Sequence, residues 1–134
     1  MENFRKQEMS GNPHRNLLAW QKCIELAAEI YKVTEKFPKE EIYGLTSQLR
    51  RAGISGPSNI SEGAADRTTD QSSNFLSNAI GSLNEIDTQL ELAFRPGYLS
   101  QSDHDRLFKL LDECLALTCG PRKSLRAKIR PKKW

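Results

Sequence analysis

The sequence has few of the residues from which catalytic and metal sites are built. It contains 2 His and 3 Cys among 134 residues. No Glu-x-x-His pair occurs, which argues against the di-iron sites of carboxylate-bridged helix bundles. Cys114 and Cys119 are five residues apart, which points them to different faces of a helix and argues against a zinc site. No glycine-rich phosphate loop with a following Gly-Lys-Ser or Gly-Lys-Thr is present. We therefore predict a protein that is not an enzyme and needs no cofactor and no metal.

Long apolar segments are also missing. No run of about 18 apolar residues occurs, and the N-terminus lacks the apolar stretch of a secretory signal peptide. The cysteines Cys23, Cys114 and Cys119 are odd in number and have no paired spacing, which fits a reducing compartment better than a disulfide framework. We expect a cytoplasmic protein without a membrane partner, with the cysteines as small core residues.

The most informative segment is the signature segment, residues 44–63, which reads as one helix. On a 3.6-residue period it carries an apolar stripe and, beside it, a polar stripe. Buried polar groups cost about 1–3 kcal/mol each when unpaired, so the polar stripe must bond to partner helices, stay wet or meet a ligand. We call it, with two residues of the third helix, the polar seam: Gln48, Ser55, Asn59, Glu62, Ser82 and Glu85.

Glycine and proline have backbone explanations within the signature segment. Pro57 lacks an amide proton and its ring clashes with the carbonyl of Gly53, which predicts a kink in this helix. Gly63 stands where a left-handed C-terminal cap is expected.

The periodic apolar pattern predicts four helices. The first begins at the N-cap Asn16, the second at Gly44, the third at a cap on Thr69 or Asp70, and the fourth at Ser102. We predict an all-α, up-down antiparallel four-helix bundle with a kinked second helix. Residues 1–15 form a flexible N-terminal arm, 16–120 the bundle, and 121–134 a basic C-terminal tail or helix extension after the break or kink at Gly120-Pro121.

The first helix is more apolar than a bundle core requires. One stripe contains Cys23, Leu26, Ile30, Val33 and Phe37, and a second contains Leu17, Trp20, Ile24, Ala27 and Tyr31. Together they span roughly 200° of arc, about twice the width that a surface helix buries. The excess predicts an oligomer interface that includes Trp20 and Tyr31. The alternative is that these two rings cover neighbouring loops.

Charge is distributed unevenly along the chain. All 17 acidic residues precede Gly120, whereas 7 of the 20 basic residues follow it, and such a basic block favours contact with phosphate or an acidic surface. The signature segment adds two arginines, for which pairing with Glu62 or Glu85 is the structural alternative. The candidate nucleic-acid contacts are Arg50, Arg51, Arg67, Arg122, Lys123, Arg126, Lys128 and Arg130.

Four motifs occur in an order and spacing typical of one known family. They are Trp20-Gln21-Lys22, the stretch from Phe37 to Ala52, Asn59-Ile60 with Glu62-Gly63, and the run Gly81-Ser82-Leu83-Asn84-Glu85. In these motifs the chain resembles the 23S rRNA intervening-sequence protein family. The resemblance implies an up-down four-helix bundle that forms a homopentamer, with no assigned catalytic activity. More distant relatives include the accessory variability determinant of retroelements, which is thought to bind a reverse transcriptase and nucleic acid.

These observations predict a non-enzymatic, oligomeric binding or scaffold protein. Its partners are expected to be other copies of itself, as a pentamer, and RNA or DNA held through phosphate-directed arginines and lysines. The alternative is a protein-only assembly factor with a structural polar seam and a tail that docks an acidic protein. A third possibility is small-molecule binding in a polar bundle interior.

Overall fold

The structure, a computed structural model, describes residues 13–65 and 68–129, with side chains up to residue 122. The described residues form helices and no strands. Each helix packs against the next along the chain, and the first also packs against the fourth. This arrangement confirms the predicted all-α four-helix bundle, whereas the up-down order of its helices stays a prediction. The helices are α1 (Leu18–Thr34), α2 (Leu45–Gly63), α3 (Thr69–Phe94) and α4 (Gln101–Ile129), with 3-10 turns at Pro13–Asn16 and Lys39–Glu41.

The core lies between the four helices and consists mainly of leucine and isoleucine. Every residue of the first predicted stripe of α1, from Cys23 to Phe37, is buried. Cys23 meets Cys114 of α4 in this core, and their hydrogen bond, together with burial, raises the pKa of the Cys114 thiol. Both cysteines are buried core residues, as predicted, while Cys119 is only half-buried. The largest fully buried side chains are Leu26, Ile30, Leu49, Ile60, Leu83, Ile86, Leu90, Leu107 and Leu111.

The start of α1 differs from the prediction. Asn16 lies in the preceding 3-10 turn, and the N-cap is Leu17, whose side chain makes no capping hydrogen bond. The turn instead continues into the helix through a backbone hydrogen bond from Leu17 N to His14 O of 3.0 Å. The prediction of Asn16 as the N-cap was wrong, because the 3-10 turn at Pro13–Asn16 already contains this residue before α1 begins.

The cap of α3 also lies earlier than predicted. Thr68 is the N-cap: its Oγ1 accepts a hydrogen bond from the Gln71 amide at 3.2 Å. Gln71 Oε1 in turn accepts from the Thr68 amide at 3.1 Å, which completes a capping box. The prediction of Thr69 or Asp70 as the cap was therefore wrong. Gln71, three residues after Thr68, supplies the reciprocal hydrogen bond that makes Thr68 the cap.

Gly63 does not form a left-handed cap. It lies inside α2, and the only described glycine with a positive φ is Gly97 at 93°. A Cβ atom at Gly63 would lie 3.3 Å from the Phe75 Cβ and 3.3 Å from the Ser72 carbonyl oxygen. Glycine at this position therefore permits the close approach of α2 to α3, and the predicted cap was wrong.

Two Gly→Ala substitutions separate this packing role from helix propensity. Gly81 lies in α3, where an added Cβ would meet no atom within 4 Å. Gly81→Ala should raise the free energy of unfolding by about 0.5–1 kcal/mol, measured by urea denaturation. Gly63→Ala should lower it, since the tight contact with α3 costs about 1–3 kcal/mol. Equal stabilisation by both substitutions would contradict the packing role of Gly63.

Two helices, α2 and α4, contain an internal proline, and each helix continues past it. α2 contains Pro57, although its predicted kink stays a prediction. α4 contains Pro121 and runs to Ile129, so residues 121–129 are an extension of the fourth helix rather than a separate tail. Residues 1–12, 66–67 and 130–134 lie outside the described part of the chain, and with them most of the predicted N-terminal arm.

Candidate nucleic-acid and oligomer surfaces

Three members of the polar seam meet at the contact between α2 and α3. The Ser82 hydroxyl donates to Ser55 Oγ at 2.8 Å. Asn59 Nδ2 donates to the Ser55 carbonyl oxygen at 2.9 Å and is 3.1 Å from Ser55 Oγ. These side chains are bonded to one another and to backbone, so this part of the seam has the structural role that the sequence left open.

The other seam residues lie on the surface. Gln48 is exposed on α2, and its Oε1 accepts a hydrogen bond from Arg51 Nη2 at 3.0 Å. Glu62 and Glu85 are also exposed. One part of the seam is therefore bonded between two helices and the other part is exposed, and the structure does not bring its six members into a single site. Arg51 remains exposed and available to a ligand.

Arg50 is held against α1. Its Nε donates to Thr34 Oγ1 at 2.9 Å, and its guanidinium carbon lies 4.7 Å from the centre of the Tyr31 ring. Thr34 itself donates to the Ile30 carbonyl oxygen at 2.7 Å. This contact fixes α2 on α1 by a hydrogen bond and a cation–π interaction. Thr34 was not identified from the sequence, although a threonine in the last turn of a helix that bonds four residues back is a recognisable pattern.

The basic candidates after Gly120 lie on one continuous helix. Arg122 is half-buried, and Lys123, Arg126 and Lys128 follow it within α4. Residues 122 and 126 are four apart and so share a helix face. Arg67 and Arg130 lie outside the described residues. The structure thus places four of the predicted phosphate contacts on one helical segment.

Trp20 does not supply the exposed ring that an interface prediction requires. It is 8% exposed, because the Pro13–Asn16 turn folds over it. The His14 ring lies 5.1 Å from the Trp20 ring in an edge-on contact, and the Arg15 guanidinium carbon lies 5.3 Å from it. The structure therefore supports the alternative for Trp20, in which the ring is covered by a neighbouring segment of the same molecule.

An exposed apolar surface nevertheless remains beside Trp20. Tyr31 is 40% exposed and Ile24 36% exposed on α1, and Ile54 is 50% exposed on α2. A groove of about 310 Å³ runs between these helices and is lined in part by Ile24, Ile54 and Pro57. We call this surface the α1–α2 face. Sequence reasoning missed Ile54 because it lies off both stripes of the signature segment.

Two titratable groups with displaced pKa values lie in one surface ion pair between Arg106 and Asp103. Arg106 of α4 pairs with Asp103 at 2.8 Å and also with Glu29 of α1. The hydrogen bond from Arg106 lowers the pKa of Asp103, and the bond to Asp103 raises the pKa of Arg106. Of these two pairs, only the one between Arg106 and Glu29 joins α4 to α1. In the described ranges no group of three or more His, Cys, Asp or Glu residues could hold a metal ion.

None of the helices in the described ranges has the length and apolar character needed to span a membrane.

Comparisons with known proteins agree with this architecture. The sequence model of the 23S rRNA-intervening sequence protein family matches residues 15–120. The fold is similar to that of a crystal structure from Bacteroides thetaiotaomicron, described as a protein of unknown function from the S23 ribosomal protein family. That chain is 23% identical, with a TM-score of 0.73, and the match covers 79% of this chain and 96% of the other. No curated protein matches the chain.

Proposed function

We propose that this chain, which belongs to the 23S rRNA-intervening sequence protein family, is a non-enzymatic oligomeric protein that binds the phosphate backbone of RNA or other nucleic acid. The observation that carries the proposal is the continuation of α4 through Pro121 to Ile129. Because this segment is helical, its backbone holds residues 122, 123, 126 and 128 at fixed spacing. A preorganised row of cations binds a polyanion at a lower entropic cost than a flexible tail does.

The charge of this segment supports a polyanion partner. Arg122, Lys123, Arg126 and Lys128 fall within nine residues of α4, and no acidic residue follows Gly120. All 17 acidic residues lie at or before Glu113, so the segment from Arg122 onward carries positive side-chain charge alone. Such a segment holds phosphates electrostatically without reading base sequence. Arg51, exposed on α2, is a further candidate contact, whereas Arg50 is already engaged by Thr34 and Tyr31.

The α1–α2 face supports the oligomeric part of the proposal. Ile24, Tyr31 and Ile54 present apolar surface that the bundle leaves uncovered, and contiguous exposed apolar patches mark interaction sites. We propose that a second copy of the chain covers this face. The resemblance to the family implies that the assembly is a pentamer, which would bring five basic α4 segments together and raise the affinity for a long polyanion through multivalency.

One observation favours the protein-only alternative. The buried part of the polar seam is satisfied by bonds among Ser55, Asn59 and Ser82, so this part of the seam needs no ligand. In that reading the basic extension of α4 docks an acidic protein surface. Both partners are anionic, so the choice between them depends on a direct test with RNA.

RNA binding by fluorescence anisotropy, on the full chain and across a salt series, tests the proposal. We expect binding at low salt that weakens linearly in a plot of log affinity against log salt. Absence of binding to RNA at low salt would contradict the proposal and leave the protein-only assembly factor as the better explanation. A mixture of unrelated RNA sequences should bind equally well, because the contacts are directed at phosphate.

A further inference from the structure

A cavity of about 470 Å³ lies at the end of the bundle where α1 begins and α2 ends. We call it the bundle-end cavity. All four helices contribute to its wall, which includes Leu18, Ile60, Ala64, Leu76, Leu117 and Pro121. Leu17, which also lines it, is 42% exposed and Leu18 is 53% exposed. Apolar surface of the cavity is therefore in contact with water, and covering it is favourable.

The bundle-end cavity suits an apolar occupant. Among the described residues of its wall, Thr118 carries the one polar side chain. The Thr118 hydroxyl donates to the Cys114 carbonyl oxygen at 2.7 Å, so its proton is already used within the helix. A polar group placed in this space would give up its hydrogen bonds to water without a replacement. The side chains that fill the cavity should therefore be apolar.

The chain that precedes α1 meets the bundle close to this cavity. The turn at Pro13–Asn16 packs on the bundle, and its His14 lines the groove of the α1–α2 face together with Ser61 of α2. Ala64 lines the bundle-end cavity and lies about one helical turn beyond Ser61. Leu17, directly after the turn, lines the same cavity. Residues 1–12 are therefore joined to the described structure beside the cavity.

Residues 1–12 also contain apolar side chains of suitable size. Phe4 and Met9 are separated by polar and charged residues. A methionine side chain is flexible and fills irregular gaps in apolar surroundings. An extended chain spans at most about 3.5 Å per residue, so Met9 can lie up to about 14 Å from Pro13 and Phe4 up to about 30 Å. Both side chains can reach the cavity.

The covalent connection favours this segment over other occupants. A short tether gives an effective concentration in the millimolar range, so a separate apolar molecule must compete with a group that is always present. Residues 130–134 are less well placed. Since α4 continues to Ile129, they begin about 12 Å beyond Pro121 of the cavity wall and would have to turn back over that distance.

We propose that residues 1–12 fold back on the bundle and place Phe4 and Met9 in the bundle-end cavity. In this arrangement the segment is a strap that closes the end of the bundle from which the basic extension of α4 projects. The strap replaces water on the exposed surface of Leu17 and Leu18 by apolar side chains. This inference goes beyond the proposed nucleic-acid function and does not depend on it.

Tryptic cleavage after Arg5 and Lys6 of the full chain tests the proposal, because both residues lie between Phe4 and Met9. The cleavage rate follows the population in which the strap is undocked. Phe4→Ser with Met9→Ser should raise this rate about 10-fold or more, as the loss of one buried apolar side chain already implies. Each rate, measured by mass spectrometry, is divided by that of a synthetic peptide with the same residues 1–12, which corrects for the altered sequence at the cut.

Asn3→Ser with Gln7→Ser is the matched control. It changes two polar residues of the same segment and should leave the corrected cleavage rate unchanged.

Ala64→Leu tests the cavity without altering the strap. Ala64 lines the cavity, so leucine there should fill the space, release the strap and speed cleavage after Arg5 and Lys6. Thermal unfolding followed by circular dichroism shows whether the variant is folded. An unsubstituted chain that is cut as fast as the peptide would overturn the proposal. So would protection that survives the Phe4 and Met9 substitutions or folded Ala64→Leu, or protection that disappears on dilution, which would assign the cavity to another copy.

Discussion

Glutamate at both Ile24 and Ile54 should dissociate the proposed assembly into single chains. Both side chains are exposed on the α1–α2 face of the bundle, so the substitutions leave the core of each molecule intact. In an assembly that buries this face, two carboxylates would lose their hydration without a cationic partner, which costs several kcal/mol. Light scattering should show the mass fall from about five times to once the 15.2 kDa of one chain.

Leu92→Glu is the matched control for this experiment. Leu92 is 56% exposed on α3, outside the α1–α2 face, and should keep the assembly intact. Trp20 is unsuitable as a probe because it is buried, and replacing a buried aromatic residue costs about 3–5 kcal/mol of folding free energy. An Ile24→Glu, Ile54→Glu variant that remains assembled would move the interface elsewhere. A monomeric unsubstituted chain would contradict the oligomer proposal itself.

Replacing the four basic residues of the α4 extension with glutamine will remove most RNA affinity. The substitutions are Arg122, Lys123, Arg126 and Lys128 to Gln. Each phosphate contact releases counterions, and four such contacts account for about 100-fold or more in affinity at low salt. Fluorescence anisotropy with one labelled RNA would measure the loss at about 50 mM salt, where charges are screened less than at physiological ionic strength.

A second set of four substitutions controls for net charge. Lys22, Lys32, Lys36 and Lys39 lie on α1 and in the turn that follows it, and two of them are paired with glutamates. Their replacement by glutamine changes the charge by the same amount as the α4 set. We expect a much smaller loss of affinity. Equal losses in the two sets would mean that RNA responds to net charge and has no site on α4.

Periodicity predicted those features of the fold that depend on one helix and its neighbours. The stripe from Cys23 to Phe37 is buried as expected, because a 3.6-residue apolar repeat has only one stable placement in a bundle. Trp20 belongs to the other stripe of the same helix. The Pro13–Asn16 turn covers Trp20 and buries it. This turn has no apolar periodicity, so its path could not be predicted from the sequence.

Glycine and polar residues were harder to interpret from the sequence. Gly63 follows the pattern of a helix cap, but its observed role is to admit Phe75 and Ser72 of a neighbouring helix. The residues of the polar seam also differ in role. Ser55 and Ser82 form a hydrogen bond between two helices, whereas Glu85 is exposed. Which positions touch depends on where two helices approach each other, and this distance is a property of tertiary packing.

The slope of log affinity against log salt for one single-stranded RNA tests the central claim most directly, because it counts the phosphates that the protein neutralises. The proposal predicts a steep negative slope for the full chain. For the α4 variant it predicts a slope shallower by about 3, since each single-strand contact contributes about 0.7. A full chain whose affinity does not change with salt, or an α4 variant with an unchanged slope, would contradict phosphate binding by this helix.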